Sequence, residues 1–257
     1  MTLIDTHAHL YSEAFEEDRK EVVDRAIAAG VEKIFLPAID SATTQAMYDL
    51  AEAYPGKMHL MMGLHPCSVQ EAYKEELKHV EEQFRKDKKF YAVGEIGIDL
   101  HWDKSTLSMQ QDAFRKQIKL AKKLGLPIVI HCRKAFDEIF EILEEEKDEK
   151  LYGIFHCFTG NLEQAHQALS YNLKLGIGGV VTFKNGKIDK FLDQIPLSEI
   201  VLETDAPYLA PSPFRGKRNE SAYLVEIKKK LAEIYGLSWE EIAEQTTKNA
   251  KEIFRIV

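Results

Sequence analysis

The chain has 257 residues, of which 45% are hydrophobic and 30% charged, and its formal net charge is −8. This length fits one large α/β domain or two small ones, and we expect a single domain over residues 1–257. No apolar run approaches the roughly 18–20 residues that span a bilayer, and the acidic balance argues against a broad basic surface for nucleic acid.

Short apolar runs alternate with amphipathic stretches along the whole chain. The predicted strands cover residues 3–9, 33–36, 59–65, 91–95, 127–131, 153–156, 173–177 and 200–203. The predicted helices lie near residues 22–29, 43–54, 74–86, 108–124, 136–143, 161–170 and 188–194, and two more follow at 224–235 and from 239 onward. Eight such strand–helix units in about 250 residues are typical of a TIM (β/α)8 barrel, here with an extra C-terminal helix. An open doubly wound sheet shares the alternation, but no Gly-rich phosphate motif follows the first strand.

Two histidines, His7 and His9, follow the first apolar run at an i, i+2 spacing. Side chains on an extended strand alternate between faces, so both imidazoles are expected to point the same way. Two ring nitrogens held side by side can form half of a divalent-metal site. The pattern therefore predicts further ligands at the ends of later strands.

Four more metal-competent side chains occur at such positions. Glu95, His131 and His156 end the fourth, fifth and sixth predicted strands, and Asp205 follows the eighth. In a barrel these ends share one rim, where active sites are built. Four histidines and two carboxylates suit Mg²⁺, Mn²⁺ or Zn²⁺. Because six ligands exceed what one tetrahedral ion needs, we predict two divalent metal ions, with Glu95 best placed to bridge them.

The chain also carries three cysteines, an odd and sparse set that argues against a disulfide framework. No apolar secretion signal is visible at the N-terminus, so we expect a reducing, cytoplasmic location. Cys132 and Cys157 each follow a predicted ligand histidine. On a strand they would point away from the rim into the helix layer, as small buried hydrophobes.

Several stretches resemble the TatD family of metal-dependent deoxyribonucleases, which belongs to the amidohydrolase-like barrels. They are residues 4–9 (IDTHAH), 93–99 (VGEIGID), 127–133 (PIVIHCR), 155–160 (FHCFTG), and 202–209 (LETDAPYL), which runs on to 215–220 (RGKRNE). The resemblance covers nearly the whole chain and implies the same six ligands, divided between two ions. The two sets are His7, His9 and Asp205 for one ion, and His131 and His156 for the other, with Glu95 shared.

The resemblance implies a 3′–5′ exonuclease that hydrolyses phosphodiester bonds of single-stranded or frayed DNA by a two-metal mechanism. Asp205 is the best candidate for the general base, and Glu95 is the other predicted catalytic residue. No membrane contact or obligatory protein partner is expected. The alternative is a hydrolase of the same kind acting on an amide, a lactone or an aminoacyl ester. Such barrels often bridge their ions with a modified lysine, so Glu95 favours the phosphoester.

Positive and aromatic side chains near the same rim are candidates for substrate binding. His65, Arg133 and Arg215 are predicted to contact the substrate phosphate, and three other loop cations are weaker candidates of the same kind. Those three are Lys184, Lys217 and Arg218. Trp102, in the loop after the fourth strand, either stacks on a base or packs within its loop.

Overall fold

The structure, a computed structural model, describes residues 2–256 and contains one closed sheet of eight parallel strands in sequence order. The strands are β1 Leu3–Asp5, β2 Val31–Leu36, β3 Met58–Met62, β4 Phe90–Asp99, β5 Ile128–Arg133, β6 Gly153–Phe155, β7 Leu173–Ile177 and β8 Ile200–Leu202. The backbone N–H of Thr6 donates to Leu202 O at 3.0 Å, and that of Asp205 donates to His7 O at 2.9 Å. These bonds join the last strand to the first, so the predicted TIM barrel is confirmed.

Helices pack around the sheet, and the buried apolar stripe of each faces it. They are α1 Arg19–Ala28, α2 Thr44–Ala53, α3 Tyr73–Gln83, α4 Leu107–Leu124, α5 Phe136–Glu145, α6 Leu162–Ser170, α7 Leu224–Tyr235 and α8 Trp239–Phe254. Two of them follow β8, which confirms the extra C-terminal helix. Within residues 2–256, no helix is both long enough and apolar enough to cross a bilayer.

The helix predicted at 188–194 is wrong. This stretch forms two single 3-10 turns, Ile188–Lys190 and Leu192–Gln194, separated by Phe191 with φ at −138°. Ile188 and Leu192 are nevertheless buried in the core. The burial pattern that had suggested a helix is thus met by a segment whose backbone hydrogen bonds join residues three apart, as in 3-10 turns, rather than four apart as in an α-helix.

The fourth strand is longer than predicted and continues past Glu95 to Asp99. Asp99 N donates to Gln110 Oε1 at 2.8 Å, and Gln110 Nε2 donates to Asp99 O at 3.1 Å. This exchange fixes the end of β4 against α4. Gly97, with φ at +142°, lies opposite His131 in the neighbouring strand, and a Cβ there would come within 2.0 Å of His131 O. Only glycine therefore lets β4 and β5 pair to their ends.

The N-terminal end of the barrel is closed by α8. Ala250, Ile253 and Phe254 pack onto a layer of inward-facing side chains drawn from seven of the strands. That layer consists of Ile4, Phe35, Met61, Ala92, Val129, Ile154 and Val201. The rings of Phe35 and Phe254 stack with their centroids 3.7 Å apart. With this end filled, the open mouth of the barrel lies at the carboxyl ends of the strands.

Candidate metal centre

The six predicted ligands meet at the carboxyl ends of the strands. His131 and Glu95 lie within β5 and β4, and His156 follows β6 directly. His7 and His9 lie just beyond β1 rather than inside it, in a segment that still pairs with the chain after β8. Their Nε2 atoms are 3.2 Å apart, so the two rings converge as the i, i+2 spacing predicted.

Glu95 is the centre of this cluster. Its Oε2 lies 3.0 Å from His7 Nε2 and 3.6 Å from His9 Nε2. Its Oε1 instead faces two other predicted ligands, with His131 Nδ1 at 2.8 Å and His156 Nε2 at 3.7 Å. The two oxygens of one buried carboxylate therefore face two separate groups of ring nitrogens, as a bridging ligand would require.

Asp205 approaches the cluster from the segment after β8. Its Oδ1 lies 3.9 Å from His7 Nε2, 3.6 Å from His9 Nε2 and 3.8 Å from His156 Nε2. Its backbone is in the left-handed region, with φ at +56°. Aspartate tolerates this conformation better than most residues, and such strained residues concentrate at functional sites.

These distances fit a bound cation. A tetrahedral ion with bonds of about 2.0–2.1 Å holds its ligand atoms roughly 3.3 Å apart. The separation of 3.2 Å between the His7 and His9 nitrogens matches that value, and the separations of 3.0–3.9 Å to Glu95 and Asp205 bracket it. A divalent ion could therefore sit among these donors with little rearrangement.

The charge balance leads to the same conclusion. Burial, with repulsion from neighbouring imidazoles, lowers the pKa of His7 and lowers that of His9 well below its usual value. Both rings are therefore neutral near pH 7 and present lone pairs, as metal binding requires. Among residues 2–256, Glu95 and Asp205 have only imidazoles as ion-pair partners within 4.0 Å. A cation would supply the compensation that buried carboxylates need.

The pKa values of the two carboxylates shift in opposite directions. Burial opposes ionisation of Glu95, but the surrounding histidines, His7 first, outweigh it and lower its pKa well below the usual value. Burial raises the pKa of Asp205 to about 7, and the charge of Glu95 adds to that increase. Two acidic groups with separated pKa values suit a permanent ligand and a proton-accepting group.

Three buried side chains that the sequence analysis missed hold the ligand histidines in place. Tyr11 OH donates to Pro37 O at 2.6 Å, so it accepts from His9 Nδ1 at 3.0 Å and leaves the lone pair of His9 on Nε2. Asp99 Oδ2 lies 2.9 Å from His131 Nε2. This contact and that of Glu95 outweigh burial and raise the pKa of His131 to about 9. A cation at His131 Nδ1 would compete with the proton that this pKa reflects.

Glu203 is the third of these. Its Oε1 accepts from Cys157 N at 2.6 Å and lies 2.9 Å from His156 Nδ1, although this second contact lacks hydrogen-bond alignment. Carboxylates placed behind ligand histidines fix ring orientation in metal sites. Glu203 and Asp99 both lie in the stretches that resemble the TatD family, which was the one signal available in the sequence.

The donors group somewhat differently from the two predicted sets. His65 Nε2 lies 3.5 Å from Glu95 Oε1, and His65, Glu95 and His131 form one cluster of donors within 4.8 Å of one another. His156 clusters instead with His7 and Asp205. The structure thus adds His65 to the donor set, and the assignment of each ligand to one ion stays a prediction.

The cluster forms the floor of a cavity of about 730 Å³. Arg133 and His65 line it, together with Trp102. Cys132 and Cys157 also line it and are half-buried. Cys132 packs against the main hydrophobic core as predicted, whereas Cys157 lies beside His156 and Glu203, so for Cys157 the prediction that it points into the helix layer is wrong. Cys157 follows the end of β6 with φ at +44°, and strand alternation no longer applies there.

The more distant cations do not line this cavity. The Arg215 guanidinium lies 3.6 Å from the Phe183 ring centroid and donates to Ala210 O. Arg218 donates to both carboxylate oxygens of Asp18, so its guanidinium is already engaged. Lys184 and Lys217 are exposed outside the cavity. Of the predicted substrate contacts, the structure therefore brings His65 and Arg133 to the cluster.

Comparison with known proteins agrees with this architecture. The family described as TatD related DNase matches residues 4–255. An uncharacterized metal-dependent hydrolase of Bacillus subtilis, YabD, is 43% identical over 99% of both chains. The 3′-5′ ssDNA/RNA exonuclease TatD of Pantoea vagans is 32% identical over 99% of this chain and 100% of that one. The crystal structure of YjjV, a TatD homologue of Escherichia coli, superimposes with a TM-score of 0.93 at 31% identity, covering 99% of this chain and 98% of that one.

Proposed function

The chain belongs to the TatD-related DNase family of metal-dependent hydrolases, and from that premise we propose that it is a nuclease that removes nucleotides from the 3′ end of single-stranded or frayed DNA. The observation that carries the proposal is the position of Glu95, whose two oxygens face separate groups of histidines. Relatives named 3′-5′ ssDNA/RNA exonucleases, at 32% identity, support the choice of bond and polarity.

In this proposal the six predicted ligands would hold two divalent ions. His7, His9 and Asp205 would bind one, His131 and His156 would bind the other, and Glu95 would be shared. Divalent ions in such sites stabilise charge on phosphoryl oxygens and lower the pKa of water. Tyr11, Asp99 and Glu203 contribute by holding the imidazole rings of His9, His131 and His156 in the orientation that binding needs.

Asp205 is the proposed general base. Burial raises its pKa to about 7, so its carboxylate can accept a proton near neutral pH. Its side chain is part of the cavity wall, so it can reach a water beside the substrate. Arg133, which lines the same cavity, is placed to contact a phosphate oxygen. Two divalent ions would also more than neutralise Glu95 and Asp205, and this makes the mouth attractive to a polyanion although the chain carries a net charge of −8.

The test is hydrolysis of end-labelled single- and double-stranded oligonucleotides by metal-loaded protein. We expect Mg²⁺- or Mn²⁺-dependent release of nucleotides from the 3′ end by the wild type and none by Glu95→Ala. Glu240→Gln, an exposed change on α8 at the closed end of the barrel, is the matched control and should keep the wild-type rate. Full activity in EDTA-treated enzyme would contradict the proposal.

The same preparation should be assayed with a panel of amides, lactones and aminoacyl esters. The proposal predicts rates on these substrates far below the rate on the oligonucleotide. If any ester in the panel is turned over faster than DNA, that bond replaces the phosphodiester as the proposed substrate bond. The requirement for Glu95 would stay the same.

A further inference from the structure

The cavity over the metal centre gathers exposed apolar side chains. Among residues 2–256, seven large hydrophobic side chains are exposed, and three of them, Trp102, Tyr208 and Leu209, line this one cavity. Clusters of exposed apolar surface in a soluble-type fold mark sites that bind another molecule. The mouth of the barrel therefore offers apolar surface to a bound molecule that has apolar faces of its own.

Trp102 is the most exposed of the three, at 72% of its surface. It lies in the loop between β4 and α4, above Asp99 and the end of β5. The Arg133 guanidinium carbon lies 5.4 Å from its ring centroid, and the His101 ring meets it edge-on at 4.7 Å. These contacts hold the indole in place while most of its surface stays open to solvent. Such an arrangement fits a binding surface better than loop packing, which would bury the ring.

Tyr208 lies across the mouth from Trp102. It follows β8, whereas Trp102 follows β4, so half of the barrel separates the elements that carry them. The Tyr208 side chain is 55% exposed, and its ring lies 6.2 Å from that of His9 in an edge-on arrangement. Exposed aromatic faces thus stand on two sides of the histidine and carboxylate cluster.

We propose that Trp102 is a stacking platform for an unpaired base, with Tyr208 contacting a neighbouring nucleotide on the opposite wall. The phosphodiester between the two nucleotides then lies over Glu95. This inference rests on the proposed nuclease function and specifies its substrate as single-stranded nucleic acid. Lactones and simple amides offer no planar ring to the indole, and the bases of a duplex are already stacked on one another. The cavity volume of about 730 Å³ lies within the range of small-ligand pockets, which fits an unpaired nucleotide better than an intact duplex.

The test compares two substrates and three variants. The substrates are a single-stranded oligonucleotide and the same strand with abasic sites at its last two 3′ positions. Stacking of one base is worth about 1–3 kcal/mol, so we expect Trp102→Ala to lower kcat/KM on the normal strand about 5- to 150-fold, mainly through KM. Trp102→Phe should recover part of the loss, because phenylalanine keeps a ring. On the abasic strand, Trp102→Ala should cost less than twofold.

The matched control is Trp239→Phe, since the chain has two tryptophans and Trp239 lies at the start of α8, outside the cavity. It should behave as the wild type on both substrates. Equal losses for Trp102→Ala on the normal and abasic strands would show a structural effect and overturn the inference. Unchanged kinetics for Trp102→Ala would overturn it as well, while the nuclease function would stand.

A second readout does not depend on catalysis. Trp239→Phe leaves Trp102 as the sole tryptophan, so its fluorescence reports on the mouth alone. Titration of the metal-loaded protein with a short phosphorothioate oligothymidylate, whose linkages resist hydrolysis, should quench this emission saturably, and titration with inorganic phosphate should not. If the wild type hydrolyses no oligonucleotide, the proposed function fails, and this titration still decides the inference. Absence of quenching would overturn the stacking platform.

Discussion

The contact of Glu203 with His156 makes the sharpest prediction about the metal centre. Glu203 is fully buried, and its Oε1 faces both His156 Nδ1 and the backbone N–H of Cys157. Burial raises the pKa of Glu203 to about 7, so above that pH Glu203→Gln keeps the shape of the side chain but removes the negative charge behind the imidazole. We expect His156 to bind a cation more weakly, since a carboxylate 2.9 Å behind a ligand imidazole favours cation binding at its other nitrogen.

The expected loss is about 10- to 100-fold in metal affinity, or about 1.4–2.7 kcal/mol. It should be measured by competition between the protein and a chromophoric chelator for Zn²⁺ or Mn²⁺. Thermal unfolding of the metal-free proteins serves as the check on folding. A Glu203→Gln protein that binds both ions within twofold of the wild type would refute the reasoning.

The glycine beside Glu203 allows the same contact to be disturbed without altering any charge. A Cβ at Gly176 would lie 2.3 Å from Glu203 Oε2, so Gly176→Ala must displace the buried carboxylate. We expect it to weaken metal binding in the same range as Glu203→Gln. Gly178→Ala is the matched control, because a Cβ there meets no atom closer than 3.6 Å. Equal effects of the two alanine changes would contradict the assigned role.

Three further changes test other parts of the account. Asp205→Asn should lower kcat about 10²- to 10⁴-fold at saturating metal, and an unchanged kcat would exclude it as the base. Burial lowers the pKa of His59 to about 4. The folded chain therefore binds fewer protons than the unfolded chain between about pH 4 and 6.5, and the free energy of unfolding falls as the pH drops through that window. In urea unfolding, His59→Gln should remove about 2 kcal/mol of the loss between pH 7 and 4.5. A wild-type pH profile for His59→Gln would contradict this. Phe254→Ala should lower the free energy of unfolding by about 3–5 kcal/mol because its ring stacks on Phe35 at the closed end of the barrel, and a loss below 1 kcal/mol would contradict that role for α8.

The barrel could be predicted because the residue patterns that specify its strands and most of its helices are local in the sequence. Each strand is a short apolar run, and most helices carry a periodic stripe, as Ile139 and Leu143 do in α5. The predictions from sequence fail where residues are buried without belonging to a regular helix or strand. Ile188 and Leu192 are buried without belonging to an α-helix.

The site was only half visible in the sequence, for a related reason. His7 and His9 can be recognised by their i, i+2 spacing, and the other ligands by their positions at or just after the ends of predicted strands. Asp99 and Glu203 act on histidines that lie 32 and 47 positions away along the chain, and no local pattern encodes such contacts. Arg218 looked like a free cation because its partner, Asp18, lies 200 residues away.

The central claim is that Glu95 bridges two cations at the mouth of the barrel. The most direct measurement is the anomalous difference map of crystals grown with Mn²⁺, collected for the wild type and for Glu95→Gln. The account predicts two peaks in the wild type, one on each side of the Glu95 carboxylate, and the loss of at least one in the variant. A single peak, or two peaks away from Glu95, would contradict it.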